Sequence, residues 1–297
     1  MNKTVFKGTC TAMITPFTDD GVDFDALARQ IEYQISNGID ALCILGTTGE
    51  APTITEEEYD EVAKFSYEKI EGRVKFILGS GSNCTKKAIE KSKFAEKVGA
   101  DGLLVVTPYY NKCTQNGLVK YYNDICDSVN IPVLCYNVPA RTGVNILPET
   151  MARIAENKNI GGIKEACGNM EQICETARLI RGKTALYSGD DNLNLAMLSI
   201  GSMGLISVAS NVAPREVADV AKLYFSGRNE QAVALQERLL PLIDQMFTEV
   251  NPIPVKKAIE LIGLGTGIVR APLTELEKEH EITLRKALSD FGFTLKA

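Results

Sequence analysis

Eight short apolar runs, each followed by a helical pattern, constrain the fold of this chain more than any other feature of its sequence. The helical patterns place apolar residues three or four positions apart, as Leu27, Ile31 and Ile35 do in the first of them. A strand followed by a helix, repeated along a chain, indicates parallel βαβ units. Eight units predict an α/β fold of the closed (β/α)8 TIM barrel type, for which 297 residues suffice. The predicted strands are 8–15, 41–46, 74–79, 102–107, 132–137, 160–164, 184–188 and 204–208.

A doubly wound sheet is the alternative arrangement of such units. Its dinucleotide-binding form carries G-x-G-x-x-G after an early strand, whereas G-S-G-S-N at 79–83 lacks the third glycine and the acidic residue downstream. Asp23 and Thr55 suit the N-caps of the first two helices, and Glu58 completes a capping box with Thr55. The further predicted helices are 85–98, 116–128, 148–157, 169–180, 191–200 and 214–225.

The barrel pattern ends near Gly227, so we predict a catalytic barrel over 1–227 and a C-terminal extension over 228–297. The extension has three helical patterns, near 229–247, 254–262 and 273–289. N-P-I-P at 251–254 marks a bend before the middle helix, because proline does not fit a helix interior. We interpret the extension as a helical appendix packed on the barrel and as a candidate oligomer contact.

Composition narrows the class of protein. A net charge of −6 argues against nucleic acid or an anionic membrane as a partner. The first eight residues contain no long apolar segment, so we expect no secretory signal. The eight cysteines include no C-x-x-C pair, and we expect buried free thiols in a reducing cytosol. The single histidine, His280, cannot build a histidine-rich metal site.

In such barrels the working residues lie at the carboxyl ends of the strands. Lys164 ends the apolar run 160–164, and Tyr136 ends the run before it. A partly desolvated ammonium loses its proton more readily than one in water, and a neutral amine beside a tyrosine hydroxyl suits Schiff-base chemistry on a ketone. The alternative is a lysine that pairs with Glu165 or extends into solvent.

Three other predicted strand ends carry polar residues. G-T-T-G-E at 46–50 offers two hydroxyls and glycine-flanked N–H groups for a small carboxylate, or it is an ordinary turn with solvated threonines. Tyr109 and Tyr110 are either packing residues at an interface or proton-handling hydroxyls. Asp190 and Asp191 favour N-capping of the next helix over metal binding.

Six motifs, in order and spacing, resemble those of the dihydrodipicolinate synthase family over essentially the whole chain. They are G-T-T-G-E (46–50), T-P-Y-Y (107–110), Y-N-V-P-A-R-T-G (136–143), G-G-I-K-E-A (161–166), S-G-D-D (188–191) and N-P-I-P-V-K (251–256). The wider superfamily includes N-acetylneuraminate lyase and keto-deoxy-sugar-acid aldolases, which share the lysine and the tyrosine. Thr48 and Arg141 favour the synthase. A catalytically silent barrel that only binds a metabolite is a further alternative.

The resemblance implies a lyase of lysine and diaminopimelate biosynthesis. Lys164 would form an imine with pyruvate, and the resulting enamine would attack L-aspartate 4-semialdehyde. The implied catalytic residues are Lys164, Tyr136, Thr48 and Tyr110, with Tyr110 acting in the neighbouring subunit's site. The implied substrate-binding residues are Thr47, Thr48, Arg141, Gly189 and Ile206. No metal or organic cofactor is implied, and the expected assembly is a cytosolic homotetramer built from tight dimers.

The resemblance also bears on feedback by lysine. Asn83 and Tyr109 match a feedback-sensitive pattern, whereas Glu56 and Tyr59 replace its histidines and Lys87 replaces its glutamate. Lys87 would repel the α-ammonium group of the ligand, so we expect insensitivity to lysine. The alternative is that Lys87 turns into solvent and Glu56 binds the ligand's other ammonium group, which leaves weak inhibition.

Overall fold

A computed structural model describes residues 4–296 of the chain. Eight parallel strands close a barrel whose hydrogen-bonded order is β1, β10, β9, β8, β7, β6, β5, β4, and β2 and β3 form a small antiparallel hairpin. The predicted (β/α)8 fold is therefore confirmed. The strands are β1 Gly8–Ala12, β2 Phe17–Thr18, β3 Gly21–Val22, β4 Ala41–Ile44, β5 Lys75–Gly79, β6 Gly102–Val106, β7 Val133–Asn137, β8 Ile160–Glu165, β9 Ala185–Ser188 and β10 Gly204–Ser207.

Helices follow the barrel strands and continue beyond them. They are α1 Phe24–Ser36, α2 Glu56–Ile70, α3 Thr85–Val98, α4 Gln115–Cys126, α5 Pro139–Thr142, α6 Pro148–Ile154, α7 Met170–Ile180, α8 Asn194–Ser199, α9 Pro214–Phe225, α10 Asn229–Gln245, α11 Ile253–Leu261 and α12 Lys278–Phe291. The short helix α5 and the hairpin were not predicted. The last helix begins five residues later than predicted, because the backbone N–H of Glu277 donates to the carboxylate of Glu249 instead of entering a helix.

The described chain divides into two compact units. The first comprises 4–7 and Lys75–Ile206, and the second comprises Gly8–Val74 and 207–296. In the first unit, buried strands β5 to β9 pair in parallel in sequence order. A Cβ on Gly162 of β8 would lie 2.8 Å from the carbonyl oxygen of Ala185, so glycine is needed where β8 meets β9.

The second unit contains β1, β4 and the C-terminal helices. Its first two helices begin as predicted, with Asp23 accepting from the N–H of Ala26 and Thr55 forming a capping box with Glu58. Helix α10 packs against α9 and α12, and α11 packs against α12. The buried face of α11 includes Val255, Ala258 and Ile259. The proposed division of the chain at residue 227 stays a prediction.

The cysteines differ in burial. All eight are free, and Cys10, Cys43, Cys126 and Cys135 are buried. The expectation of burial is wrong for Cys84 and Cys174, which are exposed because one precedes α3 and the other lies on the outer face of α7. Within 4–296, no helix is both long enough and apolar enough to cross a membrane.

Candidate active site

Lys164 and Tyr136 are neighbours on two paired strands of the first unit. The register of β7 and β8 places Tyr136 opposite Lys164, and the Nζ atom of Lys164 lies 4.3 Å from the centroid of the tyrosine ring. The two residues are 5% and 7% exposed, so the alternative of a lysine extended into solvent does not hold. The predicted nucleophile and its tyrosine therefore meet in a buried position at the carboxyl ends of their strands.

Glu165 faces away from Lys164, because successive residues of a strand point to opposite sides. Its carboxylate accepts from the side-chain amide of Asn137 at 2.9 Å and from the N–H of Cys167 at 3.0 Å. Burial raises the pKa of Glu165 to about 7, although these hydrogen bonds oppose the shift. Asn137 and Glu165 each follow one of the reactive residues and pair in register, so their contact joins the two strand ends.

This buried network was missed by sequence reasoning. The available signal was a polar residue directly after each reactive one, within otherwise apolar runs. The network continues through Asn145, which accepts from Asn137 at 2.8 Å and donates to Gln172 at 2.7 Å. The strand ends behind Lys164 and Tyr136 are thereby tied to helix α7.

Gly189 lies directly against the reactive lysine. A Cβ at this position would lie 2.9 Å from Cε of Lys164, so only glycine leaves the lysine side chain its present place. The N–H of Gly189 donates to the carbonyl oxygen of Glu165 at 2.7 Å. Ile206 is fully buried in β10. Leu205 pairs with Ser188 in the β9–β10 register, and Ile206 and Gly189 are the residues that follow this pair.

Arg141 and Tyr110 are exposed in this chain. Arg141 lies in α5, directly after the strand that carries Tyr136, and its backbone N–H donates to Val138. Tyr110 is 91% exposed and has a φ of 69°, in the left-handed region that non-glycine residues rarely adopt. Such strained positions cluster at functional sites.

Thr47 and Thr48 lie in the second unit, in a loop over residues 46–50 that we call the TTG loop. Leu45, directly before the loop, and Glu50, its last residue, have φ values of 56° and 53°. Thr48 is 3% exposed and accepts a hydrogen bond from the side-chain amide of Asn251 at 2.9 Å. The alternative of solvated threonines therefore fails for Thr48, whereas Thr47 is half-buried.

Glu50, the last residue of the TTG loop, forms a buried ion pair with Lys256 of α11. Its second carboxylate oxygen accepts from the backbone N–H of Arg270 at 2.9 Å. Burial lowers the pKa of Lys256 to about 8, and the nearby Glu50 opposes this shift. Sequence reasoning missed the pair, although both residues end motifs that it had singled out, G-T-T-G-E and N-P-I-P-V-K.

Comparison with known proteins identifies the family of this chain. The sequence model of the dihydrodipicolinate synthetase family matches residues 5–291. The chain belongs to this family. The family predicted from the motifs is therefore confirmed.

Relatives in the dihydrodipicolinate synthetase family match over nearly their full length. A 4-hydroxy-tetrahydrodipicolinate synthase of Clostridium tetani is 46% identical over 96% of this chain and 98% of its own. A solved structure described as the first monomeric dihydrodipicolinate synthase variant superposes with a TM-score of 0.96 at 42% identity, covering 98% of both chains. The chloride-inhibited enzyme of Acinetobacter baumannii, solved with pyruvate, gives a TM-score of 0.95 at 40% identity, covering 97% of this chain and 99% of its own.

The aspartate pair at 190–191 and the single histidine, both considered in the sequence analysis, make other contacts in the structure. The expectation that Asp190 or Asp191 caps the next helix is wrong, because Leu193 precedes α8 and Asp190 accepts from the N–H of Asn192 in a turn. His280 contacts the carboxylate of Glu249 at 2.7 Å, which raises the pKa of the imidazole. Across residues 4–296, no three or more His, Cys, Asp or Glu side chains are grouped to hold a metal ion.

Proposed function

We propose that this chain condenses pyruvate with L-aspartate 4-semialdehyde, the reaction of a 4-hydroxy-tetrahydrodipicolinate synthase in lysine and diaminopimelate biosynthesis. The chain is a Schiff-base-forming lyase of the dihydrodipicolinate synthetase family. The observation that carries the proposal is Lys164, buried against Tyr136 at paired strand ends. The relative from Acinetobacter baumannii is complexed with pyruvate, which supports pyruvate as the first substrate.

Lys164 is the nucleophile in this proposal. Its neutral amine adds to the ketone carbon of pyruvate and water leaves, which gives an imine. Loss of a methyl proton gives an enamine, whose carbon forms a bond to the aldehyde carbon of the second substrate while the aldehyde oxygen takes a proton. Tyr136 gives and takes these protons, with Thr48 and Tyr110 as its relay. The imine accepts the electrons, so the scheme uses no metal or organic cofactor.

The remaining site residues bind the two carboxylates. Thr47 and Thr48 bind that of pyruvate, and Gly189 and Ile206 line the pocket through their backbone groups. Arg141 binds the carboxylate of the semialdehyde, a bidentate task that suits a planar guanidinium. Its exposed place directly after the strand of Tyr136 supports a role with the second substrate, which arrives after imine formation.

The acceptor assay tests the proposal against the alternative of a sugar-acid aldolase. We expect turnover of pyruvate with aspartate semialdehyde and no cleavage of N-acetylneuraminate or a keto-deoxy-sugar acid. Arg141→Ala should lower the use of the semialdehyde about 10- to 150-fold, the worth of charge-assisted hydrogen bonds, without slowing imine formation. Preferential cleavage of a sugar acid would contradict the proposed acceptor.

We also propose that the chain assembles into a homotetramer of tight dimers in the cytosol and that Tyr110 enters the neighbouring subunit's site. The 91% exposure of Tyr110 supports the crossing, because large aromatic side chains favour interfaces. Eight free cysteines support a reducing compartment. Since one solved relative is described as a monomeric variant, the assembly needs a direct measurement.

Mixed subunits test the crossing. Tyr110→Phe and Lys164→Ala chains should each be inactive alone, whereas some mixed dimers should regain one intact site. Mixed dimers that form and recover no activity would exclude the crossing.

A further inference from the structure

Three contacts join the C-terminal part of the second unit to the TTG loop. The side-chain amide of Asn251 donates to Oγ1 of Thr48, Lys256 forms its ion pair with Glu50, and the N–H of Arg270 donates to the same carboxylate. The donors come from 203 to 220 positions later in the chain. All three contacts fall on two residues of the TTG loop, Thr48 and Glu50, which is more than packing of an appended helix requires.

The contact between Asn251 and Thr48 has a direction. A hydroxyl has one hydrogen to donate and two positions at which it accepts, and an amide N–H can only donate. The N–H of Asn251 fills one accepting position of Thr48 at 2.9 Å, so the threonine hydrogen must point elsewhere. Both residues are buried, at 5% and 3% exposure, which keeps bulk water from exchanging with this bond.

We propose that Asn251 is a positioning residue for the condensation reaction: it orients the hydroxyl of Thr48 as a hydrogen-bond donor to the carboxylate of pyruvate. The inference rests on the proposed function, because Thr48 binds pyruvate only in that scheme. It adds to the scheme a residue that does not touch the substrate and acts through Thr48. It also gives the N-P-I-P segment a role in catalysis.

Further contacts of the C-terminal segment and of Thr15 support the TTG loop. Lys256 is fully buried and also donates to the carbonyl oxygen of Ile268 at 2.8 Å. The hydroxyl of Thr15 also donates to the carbonyl oxygen of Gly49 in the TTG loop, at 2.8 Å. A Cβ on Gly49 would lie 3.2 Å from the backbone of Leu45, so the loop is closely packed there. The TTG loop is thus held by Thr15 as well as by the C-terminal segment, which restricts the orientation of Thr48.

Two substitutions of Asn251 separate its effect on the orientation of the Thr48 hydroxyl from a general effect on stability. Asn251→Ala removes the donor, and we expect the KM for pyruvate to rise about 2- to 12-fold, the worth of one net hydrogen bond. Asn251→Asp is nearly isosteric but offers an acceptor that takes the hydrogen of Thr48. It also adds negative charge near an anionic substrate, so the KM for pyruvate should rise about 10- to 150-fold. Because Thr48 also belongs to the proposed relay of Tyr136, kcat should fall in both variants as well, and the rise in the KM for pyruvate is the readout specific to carboxylate binding.

A double-mutant cycle with Thr48→Val gives the decisive readout, because a residue that acts through Thr48 has little left to do once its hydroxyl is gone. Asn251→Ala should therefore raise the KM of the Thr48→Val enzyme less than twofold. Gln34→Glu is the matched control: it makes the same amide-to-carboxylate change at a buried residue of this unit, whose amide donates to the carbonyl oxygen of Ser210 at 2.9 Å. It should lower the melting temperature without a selective rise in the KM for pyruvate.

Three outcomes would overturn the inference: additive effects of Asn251→Ala and Thr48→Val, an unchanged KM in Asn251→Asp, or an equal rise in KM in Gln34→Glu. If Asn251→Ala does not fold, the same cycle is run with Asn251→Asp, whose effect should shrink in the Thr48→Val background. A wild-type chain that forms no borohydride-reducible adduct with pyruvate would refute the proposed function itself. A wild-type chain that forms the adduct while the cycle is additive would refute only the role of Asn251.

Discussion

Two regions of the molecule fix proposed site residues in opposite ways. Around Lys164 and Tyr136 the supporting contacts are close in sequence: Asn137 binds Glu165, which lies 28 positions away, through the register of adjacent strands. Around the TTG loop the supporting contacts are remote, since Asn251 lies 203 positions from Thr48. One region is therefore organised by strand pairing, and the other depends on the C-terminal segment having folded.

Because of this difference, the two regions should respond differently to substitution. Changes behind Lys164 should act through the charge and hydrogen bonding of one carboxylate, Glu165. Changes in the C-terminal segment should destabilise the fold and the TTG loop together, because the same residues serve both. Measurements of stability can therefore test the comparison independently of turnover.

The largest effect is expected at the buried ion pair of the second region. Lys256→Met leaves the carboxylate of Glu50 buried without its cation, and we expect a loss of about 3–5 kcal/mol in the free energy of unfolding. Denaturant titration measures this loss, and the double variant Glu50→Gln, Lys256→Met should regain much of it.

The adjacent lysine gives the matched control. Lys257→Met removes a partly exposed lysine that pairs with Glu260, and it should cost less than about 1 kcal/mol. Equal losses in the two single variants would mean that the ion pair does not anchor the TTG loop.

A smaller, pH-dependent effect is expected in the first region. The pKa of Glu165 is raised from 4.5 to about 7, so the folded state binds its proton more tightly than the unfolded state. The unfolding free energy therefore falls as pH rises through 4.5 to 7, by about 2–4 kcal/mol from this group, and stays reduced above pH 7. Glu165→Gln removes this dependence and should gain that amount relative to wild type between pH 5 and pH 8.

Glu171→Gln, at an exposed position of α7, serves as the control. Its difference from wild type in the free energy of unfolding should be the same at pH 5 and at pH 8. If the difference in unfolding free energy between Glu165→Gln and wild type is also independent of pH, the carboxyl of Glu165 does not titrate between pH 5 and pH 8.

The last prediction is that lysine has no effect on the reaction rate. The prediction concerns feedback by lysine and depends on two exposed residues, Glu56 at the start of α2 and Lys87 on α3. Like charges about 4 Å apart cost on the order of 1–4 kcal/mol at dielectrics from 80 to 20, so Lys87 should block the ligand's ammonium group. Millimolar lysine should leave the rate unchanged. Inhibition below that range would refute the prediction, and Lys87→Glu would then change little.

The fold and the first region could be predicted from the sequence because their signals are local. Alternating strand and helix periods indicated the barrel, and the ends of two neighbouring predicted strands placed Tyr136 and Lys164 near each other. The capping box at Thr55 depends on residues within one turn and was confirmed. The start of the last helix was predicted wrongly, because it depends on a tertiary contact: α12 begins late because Glu249 binds the backbone of Glu277.

The second region could not be predicted for the same reason. N-P-I-P at 251–254 indicated only a bend, and nothing in the sequence pairs Asn251 with Thr48 or Lys256 with Glu50. Burial is also ambiguous as a guide to the nucleophile. Lys256 is buried more deeply than Lys164 and has a pKa lowered to about 8, but its amine is bound to Glu50.

Reduction with borohydride in the presence of pyruvate, followed by peptide mass mapping, tests the central claim most directly. The account predicts one adduct, on the peptide that contains Lys164, with none on the peptide that contains Lys256 and none in Lys164→Ala. An adduct at full yield in Lys164→Ala, or one carried by Lys256, would contradict it.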